Sequence, residues 1–527
     1  MKYVLPKTPF IRINFVTLCA VISTLTVTSA QAVDASDVDL DDDGLIEIET
    51  LTELDQIRYN LSGTGYTDAS GITNDTGCPI NGCNGYELAN DLDFDTDGDG
   101  VLHDETGFWN LGEGWIPIGN DSAPFSANFE GNGYSIKNLY INRPYENDVG
   151  FFGVVKSSVT IKRVHLNGAL TSVTGADQVG GLLGRIQLAS YADTNTVIID
   201  DCSVTGSIKG EKFVGGLLGR VHSSWDGYVD IGDSYTNTTL EGENYVGGVI
   251  GYASVAALGA IGVYNNYAQG LTSGDFYVGG LVGKIYYEGY EGSIIVSDNT
   301  ADMDIYGDDS VGGAVGSTYG YGYESYMTFE KTQANGKVRA LNGNAGGLVG
   351  KVSVDNETIT NISKVSATGN VDGIYNVGGL IGFTQAVDWV SLAVHDSYAQ
   401  GDVDGVTQVG GLIGFAYAEG EAAYVSVFRT YASGAVSGSA NTGGLIGLSQ
   451  DGYDPDDPYS SAIGVGSSYW DSNTTGQTLS AGGTGLSTVE MQCPQTAGDS
   501  NCATTVYSGW SNSTWDFGSD TAYPTLK

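Results

Sequence analysis

Two clusters of aspartates near the start of the chain have the spacing of calcium-binding loops. Calcium takes six to eight oxygen ligands, and carboxylates at alternate positions before a glycine can curl around one ion. Glycines follow the clusters at Gly98 and Gly44, and Glu47 lies three residues after the second glycine. We predict structural calcium at two loops, with solvated acidic turns as the alternative. The predicted ligands are Asp93, Asp95, Asp97 and Asp104 in one loop and Asp39, Asp41 and Asp43 in the other.

Aromatic residues recur in the segments that follow a repeated glycine motif. Rings interleaved with Asp, Glu and Gly suit stacking on sugar rings and hydrogen bonding to hydroxyls, or contact with a protein. The alternative is that these tyrosines belong to hairpin extensions and pack on each other. The predicted ligand-surface residues are Trp225, Tyr228, Tyr286, Tyr287, Tyr290, Tyr319, Tyr321, Tyr323 and Trp389.

The sequence contains no recognisable set of catalytic residues. The four histidines, His103, His165, His222 and His395, are scattered, and no Ser-His-Asp or Cys-His arrangement emerges. We therefore predict a non-enzyme, with a polysaccharide lyase or hydrolase as the rival; a cleft with Asp and Arg or Lys on adjacent coils would favour that rival. The chain has 63 acidic against 21 basic residues. This charge argues against nucleic acid as a partner.

The elements that position these residues come from a repeat. The pattern Val-Gly-Gly-apolar-apolar-Gly, with small variations, recurs at intervals of 30 to 35 residues. Such a period indicates a solenoid, in which each unit buries its apolar face against its neighbours. The copies open at Val149, Val179, Val214, Val246, Val278, Val311, Ala345, Val377, Val409 and Thr442.

The units read as strands joined by turns, because they are rich in Gly, Ser, Thr, Val, Ile, Tyr and Asn. The paired glycines are expected to supply positive φ and to let one backbone lie close over the next. A second column of residues predicts a stacked ladder with one side chain per coil. Its members are Cys202, Tyr235, Tyr267, Thr300, Thr332, Val365, Tyr398, Tyr431 and Tyr469.

These motifs resemble the GLUG repeat of secreted bacterial proteins, as in Val179-Gly-Gly-Leu-Leu-Gly184 and Val409-Gly-Gly-Leu-Ile-Gly414. The resemblance covers roughly residues 115 to 450. Proteins with this repeat include surface adhesins and some secreted peptidases, in which the repeat is not the catalytic part. The resemblance implies an extracellular β-solenoid and leaves the ligand open.

The flanking segments indicate export and capping. Basic residues precede an apolar stretch near Phe15 to Val27, and Ala30-Gln-Ala32 resembles a signal-peptidase site. A helix over about Leu51 to Leu61 is expected to cover the first coil. We predict disulfides within the pairs Cys78 and Cys83, and Cys493 and Cys502, and a buried free thiol at Cys202. No later stretch is long and apolar enough to predict membrane insertion.

Together the sequence predicts an all-β, right-handed parallel β-helix of about ten coils with a short N-terminal capping helix. The predicted divisions are a signal peptide at 1–32, an acidic cap at 33–113, the β-helix at 114–465 and a C-terminal cap at 466–527. We predict an exported, extracellular or cell-surface protein, with the periplasm as an alternative. It is expected to be adhesin-like and to bind a glycan or a surface protein. A structural fibre subunit is the third alternative.

Overall fold

A computed structural model describes residues 37–102, 107–189, 194–454, 456, 459–493, 506–517 and 521–527. Over these residues the chain forms an all-β parallel solenoid of about ten turns, with almost no helix. The prediction of a parallel β-solenoid is therefore confirmed. The predicted signal peptide, Asp104 and Cys502 lie outside the described residues.

Each complete turn contributes strands to three parallel sheets that wrap one apolar core. Sheet 2 has nine strands, and sheet 3 has ten. The strands of sheet 2 are Asp177–Gly180, Lys212–Gly215, Asn244–Gly247, Phe276–Gly279, Asp309–Gly312, Ala345–Gly346, Tyr375–Gly378, Thr407–Gly410 and Ala440–Gly443. The strands of sheet 3 are Phe152–Val155, Leu183–Leu188, Leu218–Ser223, Ile250–Ala256, Val282–Tyr290, Val315–Tyr323, Val349–Asp355, Ile381–Val387, Ile413–Glu419 and Ile446–Gln450.

Sheet 1 has 30 strands because most turns cross it with two or three short strands in succession. Its strands are Ile46–Ile48, Gly85–Leu88, Leu92–Asp93, Asn128–Glu130, Ser135–Lys137, Tyr140–Asn142, Val159–Lys162, His165–Asn167, Ser172–Thr174, Thr196–Asp200, Ser203–Lys209, Tyr228–Gly232, Tyr235–Glu241, Ala260–Tyr264, Tyr267–Ser273, Ser293–Ser297, Thr300–Gly307, Ser325–Glu330, Gln333–Ala334, Val338–Ala340, Thr358–Ser363, Ser366–Ala367, Val371–Asp372, Ser391–Ala399, Val403–Asp404, Tyr424–Ala432, Val436–Ser437, Ala462–Gly466, Tyr469–Asp471 and Thr484–Leu486.

Within the part of the chain that the structure describes, helix is confined to short segments near the two ends. An α-helix spans Leu51–Gln56 and continues as a 3-10 turn at Ile57–Tyr59, which is slightly shorter than predicted. Thr50 and Glu53 form a capping box at its start. The other helical pieces are Asn110–Gly112 and Thr488–Met491, and two antiparallel hairpins pair Tyr66–Thr67 with Thr73–Asn74 and Trp515–Asp516 with Thr525–Leu526. No helix among the described residues is long and apolar enough to cross a membrane.

The Val-Gly-Gly motif forms the turn between sheets 2 and 3. A Cβ added to Gly248 would lie 1.9 Å from the carbonyl oxygen of Gly280 in the next turn, so this position has room only for glycine. Positive φ occurs instead at the residue before the valine, for example Tyr245 at 60° and Tyr277 at 61°. The expectation that the paired glycines supply positive φ is therefore wrong, whereas close backbone approach is confirmed.

The residues predicted to form a single ladder belong instead to two adjacent columns, which face opposite sides of sheet 1. Tyr235 pairs in register with Ser203 and with Tyr267, and these side chains point away from the core. Cys202, Thr332 and Val365 belong to the neighbouring column, where each is fully buried. Successive strand residues face opposite sides, so a slip of one position moves a side chain from one face to the other. Cys202 is a free buried cysteine, as predicted.

The C-terminal segment forms a second, smaller core on the outer face of sheet 1. Trp515 and Tyr507 are fully buried there, and Trp515 lies 6.2 Å from the rings of both Tyr398 and Tyr431. The segment therefore packs along the side of the solenoid as well as continuing its sheet through Tyr469–Asp471.

Candidate binding surfaces

One row of tyrosines stands exposed at the corner where the chain passes from sheet 3 to sheet 1. We call Tyr290, Tyr321, Tyr323 and Tyr326 the aromatic edge; their side chains are 43 to 52% exposed. Tyr290 and Tyr323 occupy the same position of adjacent turns, and their rings stack with centroids 5.7 Å apart and planes 9° from parallel. The repeat therefore places two exposed rings in line along the solenoid axis.

The other predicted ligand-surface residues divide between the surface and the core. Tyr286 and Tyr319 stack on each other at 5.6 Å and are half-buried. Tyr287 is only 1% exposed, and its hydroxyl oxygen accepts a hydrogen bond from the Gly292 amide. Tyr287 therefore cannot contact a ligand at the surface, because it lies on the inward face of its strand. Trp225, Tyr228 and Trp389 are exposed in turns other than those of the aromatic edge.

Carboxylates accompany the tyrosines at this corner. The Tyr286 hydroxyl donates to a Glu288 oxygen at 2.7 Å, and this bond together with burial raises the pKa of Tyr286. A hydrogen bond to Glu291 raises the pKa of Tyr290, and the charge of Glu324 raises the pKa of Tyr323. These pairs place an apolar ring beside a hydrogen-bond acceptor.

A groove of about 850 Å³ lies at a different corner, where the chain passes from sheet 1 to sheet 2. We call it the acidic groove. Its carboxylates come from four successive turns, spaced by the roughly 4.8 Å of neighbouring strands, above a floor of glycines. The charged residues that line it are Lys209, Glu211, Glu241, Glu243, Asp275, Asp308 and Arg339. Lys209 is paired with Glu241 at 2.6 Å.

Sequence reasoning missed the acidic groove because acids are abundant throughout the chain. The available signal was the spacing of Glu211, Glu243, Asp275 and Asp308, which recur at 32, 32 and 33 residues, each next to a glycine. This is the period of the repeat itself, and it indicates one column of the solenoid.

The described histidines are bonded within the solenoid and are not gathered into one site. His165 Nδ1 lies 2.9 Å from Ser203 Oγ, and His222 Nδ1 lies 3.0 Å from Ser254 Oγ. His395 Nδ1 lies 2.8 Å from an Asp396 oxygen.

The first acidic loop brings its three predicted ligands together. Asp39, Asp41 and Asp43 each offer an oxygen within 4.8 Å of the others. The Gly44 amide donates to Asp39 Oδ2 at 3.0 Å, and the Leu45 amide donates to Asp43 Oδ1 at 2.8 Å. Burial raises the pKa of Asp39.

The second acidic loop adopts the same hydrogen-bond pattern two residues later than predicted. Asp95, Asp97 and Asp99 form the close group, and the Gly100 amide donates to Asp95 Oδ2 at 3.0 Å. Asp93 lies outside this group, because its Oδ1 accepts from the Asp95 amide and from Asn138 Nδ2. The predicted frame, which ends at Gly98, and the observed frame, which ends at Gly100, both match the Asp-x-Asp-x-Asp-Gly pattern of the first loop, so this pattern alone could not choose between them.

The structure also contains one of the predicted disulfides. Cys78 and Cys83 are bonded, with Cα atoms 5.0 Å apart. Cys493 is disulfide-bonded, and its predicted partner Cys502 lies outside the described residues.

Comparisons with known proteins give partial likenesses. No family model matches the chain. A protein of Evansella cellulosilytica provisionally named a Gly-rich membrane protein is 30% identical over 158 residues, which is 30% of this chain and 14% of that protein. Halomucin of Haloquadratum walsbyi is 32% identical over 105 residues, which is 19% of this chain and 1% of halomucin. The chain thus spans a small part of these relatives.

Among solved structures, a protein of Bacteroides ovatus provisionally named an immunoglobulin A1 protease aligns over 92% of both chains. The sequence identity is 16%, and the TM-score is 0.31. A likeness at this level supports no inference about activity.

Proposed function

We propose that this protein is a secreted or cell-surface, adhesin-like binding protein that presents its aromatic edge to a glycan. The observation that carries the proposal is the exposed, in-register pair Tyr290 and Tyr323 with carboxylates beside it. Aromatic rings pack against the C–H face of a sugar, and carboxylates accept hydrogen bonds from its hydroxyls. The strongly acidic chain favours a neutral glycan over a polyanionic one. A protein ligand is the alternative occupant.

Several features support the location and the family in this proposal. The two named relatives are a Gly-rich membrane protein and halomucin, and the Cys78–Cys83 disulfide suits an oxidising compartment. We include in the proposal membership of the GLUG-repeat group and right-handed winding, the hand that strand crossovers favour. We also include a capping role for the helix Leu51–Gln56, which buries Leu51 and Leu54.

The experiment presents the purified protein to a panel of immobilised neutral and acidic polysaccharides and to protein-coated supports. Retention and the release of new chain ends are measured together. Tyr290→Ala and Tyr323→Ala should each weaken retention about twofold to tenfold, the range expected for one aromatic contact. Tyr145→Ala is the matched control, since Tyr145 is 95% exposed and lies away from the aromatic edge. Equal retention of all three variants would refute the assignment of this surface. Retention only on protein-coated supports would favour a protein ligand.

A polysaccharide lyase or hydrolase is the second candidate, because the acidic groove combines Asp275 and Asp308 with Arg339. Acids and a basic group on adjacent coils are the arrangement that such chemistry needs. New chain ends that appear with the wild type and disappear with Asp275→Asn would establish this function. Asp302→Asn, which removes an exposed carboxylate outside the groove, is the control.

A further inference from the structure

The first acidic loop leads directly into the first strand of sheet 1. That strand, Ile46–Ile48, pairs in parallel with Gly85–Leu88, and the register places Glu47 opposite Glu87. Asp41, Glu47 and Glu87 each offer an oxygen within 4.8 Å of the others. Asp41 therefore belongs to two ligand groups, one within the loop and one that reaches the sheet.

Two oxygens in these groups are buried and lack a partner among the described residues. Asp39 is fully buried, and its Oδ1 makes no hydrogen bond, although its Oδ2 accepts from Gly44. Glu47 Oε2 is likewise buried and unpaired, although Oε1 accepts from the Leu40 amide at 2.6 Å. A buried carboxylate oxygen without a donor is costly, so each of these atoms is a candidate ligand for a cation.

Glu47 and Glu87 are two like charges that face each other on adjacent strands. Like charges directly opposite each other on adjacent strands destabilise a sheet. Glu87 is 7% exposed, and its carboxylate accepts from Asn132 Nδ2, which is a neutral donor. Within the described residues, neither Glu47 nor Glu87 forms an ion pair with Lys or Arg. Glu130, in register with Glu87 on the next strand, does have one, with Arg163 at 2.9 Å.

We propose that Asp39, Asp41 and Asp43, extended through Asp41 to Glu47 and Glu87, form a calcium site that fastens the N-terminal loop to the first two strands of the solenoid. The proposed ligands are all carboxylates, and the loop amides already hold the other oxygens of Asp39 and Asp43 in place. A hard divalent cation satisfies both orphaned oxygens and screens Glu47 from Glu87.

The nature of the donors selects calcium over other metals. Cys78 and Cys83 lie beside Asp39, but their sulfurs form a disulfide and offer no thiolate to zinc. Magnesium requires near-ideal octahedral geometry and keeps several waters, whereas calcium accepts six to eight oxygens in an irregular arrangement. Five carboxylates from one loop and two strands suit calcium better.

The proposal is limited to the first loop. Asp95 Oδ1 in the second loop is also unpaired, but Asp95 is only half-buried, whereas Asp39 is fully buried, and Asp97 and Asp99 are exposed. An exposed cluster of this kind is ordinarily neutralised by water and dissolved ions. The variant Asp97→Asn therefore serves to measure any ion bound at the second loop separately.

The experiment uses the purified protein after removal of divalent ions with a chelator. Calcium and magnesium are titrated calorimetrically, and the melting temperature is measured with each ion. Asp39→Asn and Glu87→Gln keep the shape of the side chain and remove a ligand oxygen charge. Asp42→Asn is the matched control, since Asp42 is an exposed residue of the same loop, has a φ of 64° that asparagine tolerates, and lies in neither ligand group.

We expect calcium to raise the melting temperature of the wild type and of Asp42→Asn. Asp39→Asn and Glu87→Gln should each weaken calcium binding at least tenfold and reduce that rise, with Asp97→Asn leaving it in place. Glu87→Gln decides the outcome if Asp39→Asn does not fold. The proposal is overturned if calcium leaves the wild-type melting temperature unchanged, if the control loses as much affinity as the ligand variants, or if magnesium binds as tightly as calcium.

Discussion

Besides its apolar contacts, the C-terminal segment is held to the side of the solenoid by one buried carboxylate, and we predict that Asp396→Asn loosens it. Arg429 donates to both oxygens of Asp396, at 2.7 and 2.6 Å, and Trp515 Nε1 donates to Oδ1 at 3.1 Å. Burial alone would raise the pKa of Asp396, but the bonds from Arg429, His395 and Trp515 outweigh it and hold that pKa well below its usual range.

The expected cost follows from burial. The side chain of Asp396 is 7% exposed and that of Arg429 is 29% exposed. Removing one partner of a fully buried pair costs about 3–5 kcal/mol. Because Arg429 is partly solvated and asparagine still accepts from Trp515, we expect about 2–3 kcal/mol here. Asp298→Asn is the matched control. Asp298 occupies the same column of the solenoid and pairs with Lys331 at 3.3 Å, but both side chains are about half exposed, so the expected cost is below about 1 kcal/mol.

The assay is tryptophan fluorescence combined with limited proteolysis and thermal unfolding. Loosening of the segment exposes Trp515, which is fully buried, and should shift emission to the red and open residues after Thr488 to cleavage. Since the folded pKa of Asp396 is depressed, its stabilisation is present above the unfolded pKa of about 3.9 and is lost as pH falls toward the folded pKa. The segment of the wild type should therefore loosen in acid. Normal docking and stability of Asp396→Asn at neutral pH would refute the anchor.

Three further predictions concern the solenoid. Gly248→Ala places a Cβ 1.9 Å from a backbone oxygen and should cost more than about 4 kcal/mol in unfolding free energy, whereas Gly464→Ala, with open space around its Cβ, should stay within about 0.5 kcal/mol. Equal melting temperatures of the two variants would contradict the packing argument. Burial raises the pKa of Cys202 to about 12. An aromatic disulfide reagent at pH 8 should therefore label this thiol only after denaturation. Rapid labelling of the native protein would show that the thiol is accessible. Tyr287→Ala should destabilise the fold by about 3–5 kcal/mol, whereas Tyr290→Ala, at an exposed position, should change the unfolding free energy little. The two variants are compared by chemical denaturation. Similar midpoints would argue against the inward position of Tyr287.

The fold could be predicted from the sequence because one contact repeats in every turn. Val214 pairs with Val246, and Val246 pairs with Val278, so the same packing requirement recurs in the sequence of every turn. The disulfide between Cys78 and Cys83 could also be predicted, because the two residues are near neighbours in a short loop.

The candidate sites were harder to predict because they depend on single positions. Tyr286 and Tyr287 are adjacent and chemically identical, and only the alternation of the strand sends one outward and the other into the core. The docking of Trp515 on Asp396 joins residues 119 positions apart and has no period to reveal it. The second acidic loop offered two overlapping frames, and only the backbone bonds distinguish the Asp95 frame from the Asp93 frame.

The geometry of one turn explains which corner of the solenoid can vary in sequence and so carry a binding surface. At the Val-Gly-Gly turn, the backbone of the next coil occupies the space of a side chain, so that corner cannot vary. The corner after sheet 3 varies more in length, because the strands of sheet 3 range from four residues at Phe152–Val155 to nine at Val282–Tyr290. Longer strands carry the aromatic edge beyond the body of the solenoid, and a substitution there leaves the stacked core untouched. A ligand-binding surface can therefore change along this corner while the corner between sheets 2 and 3 maintains the fold.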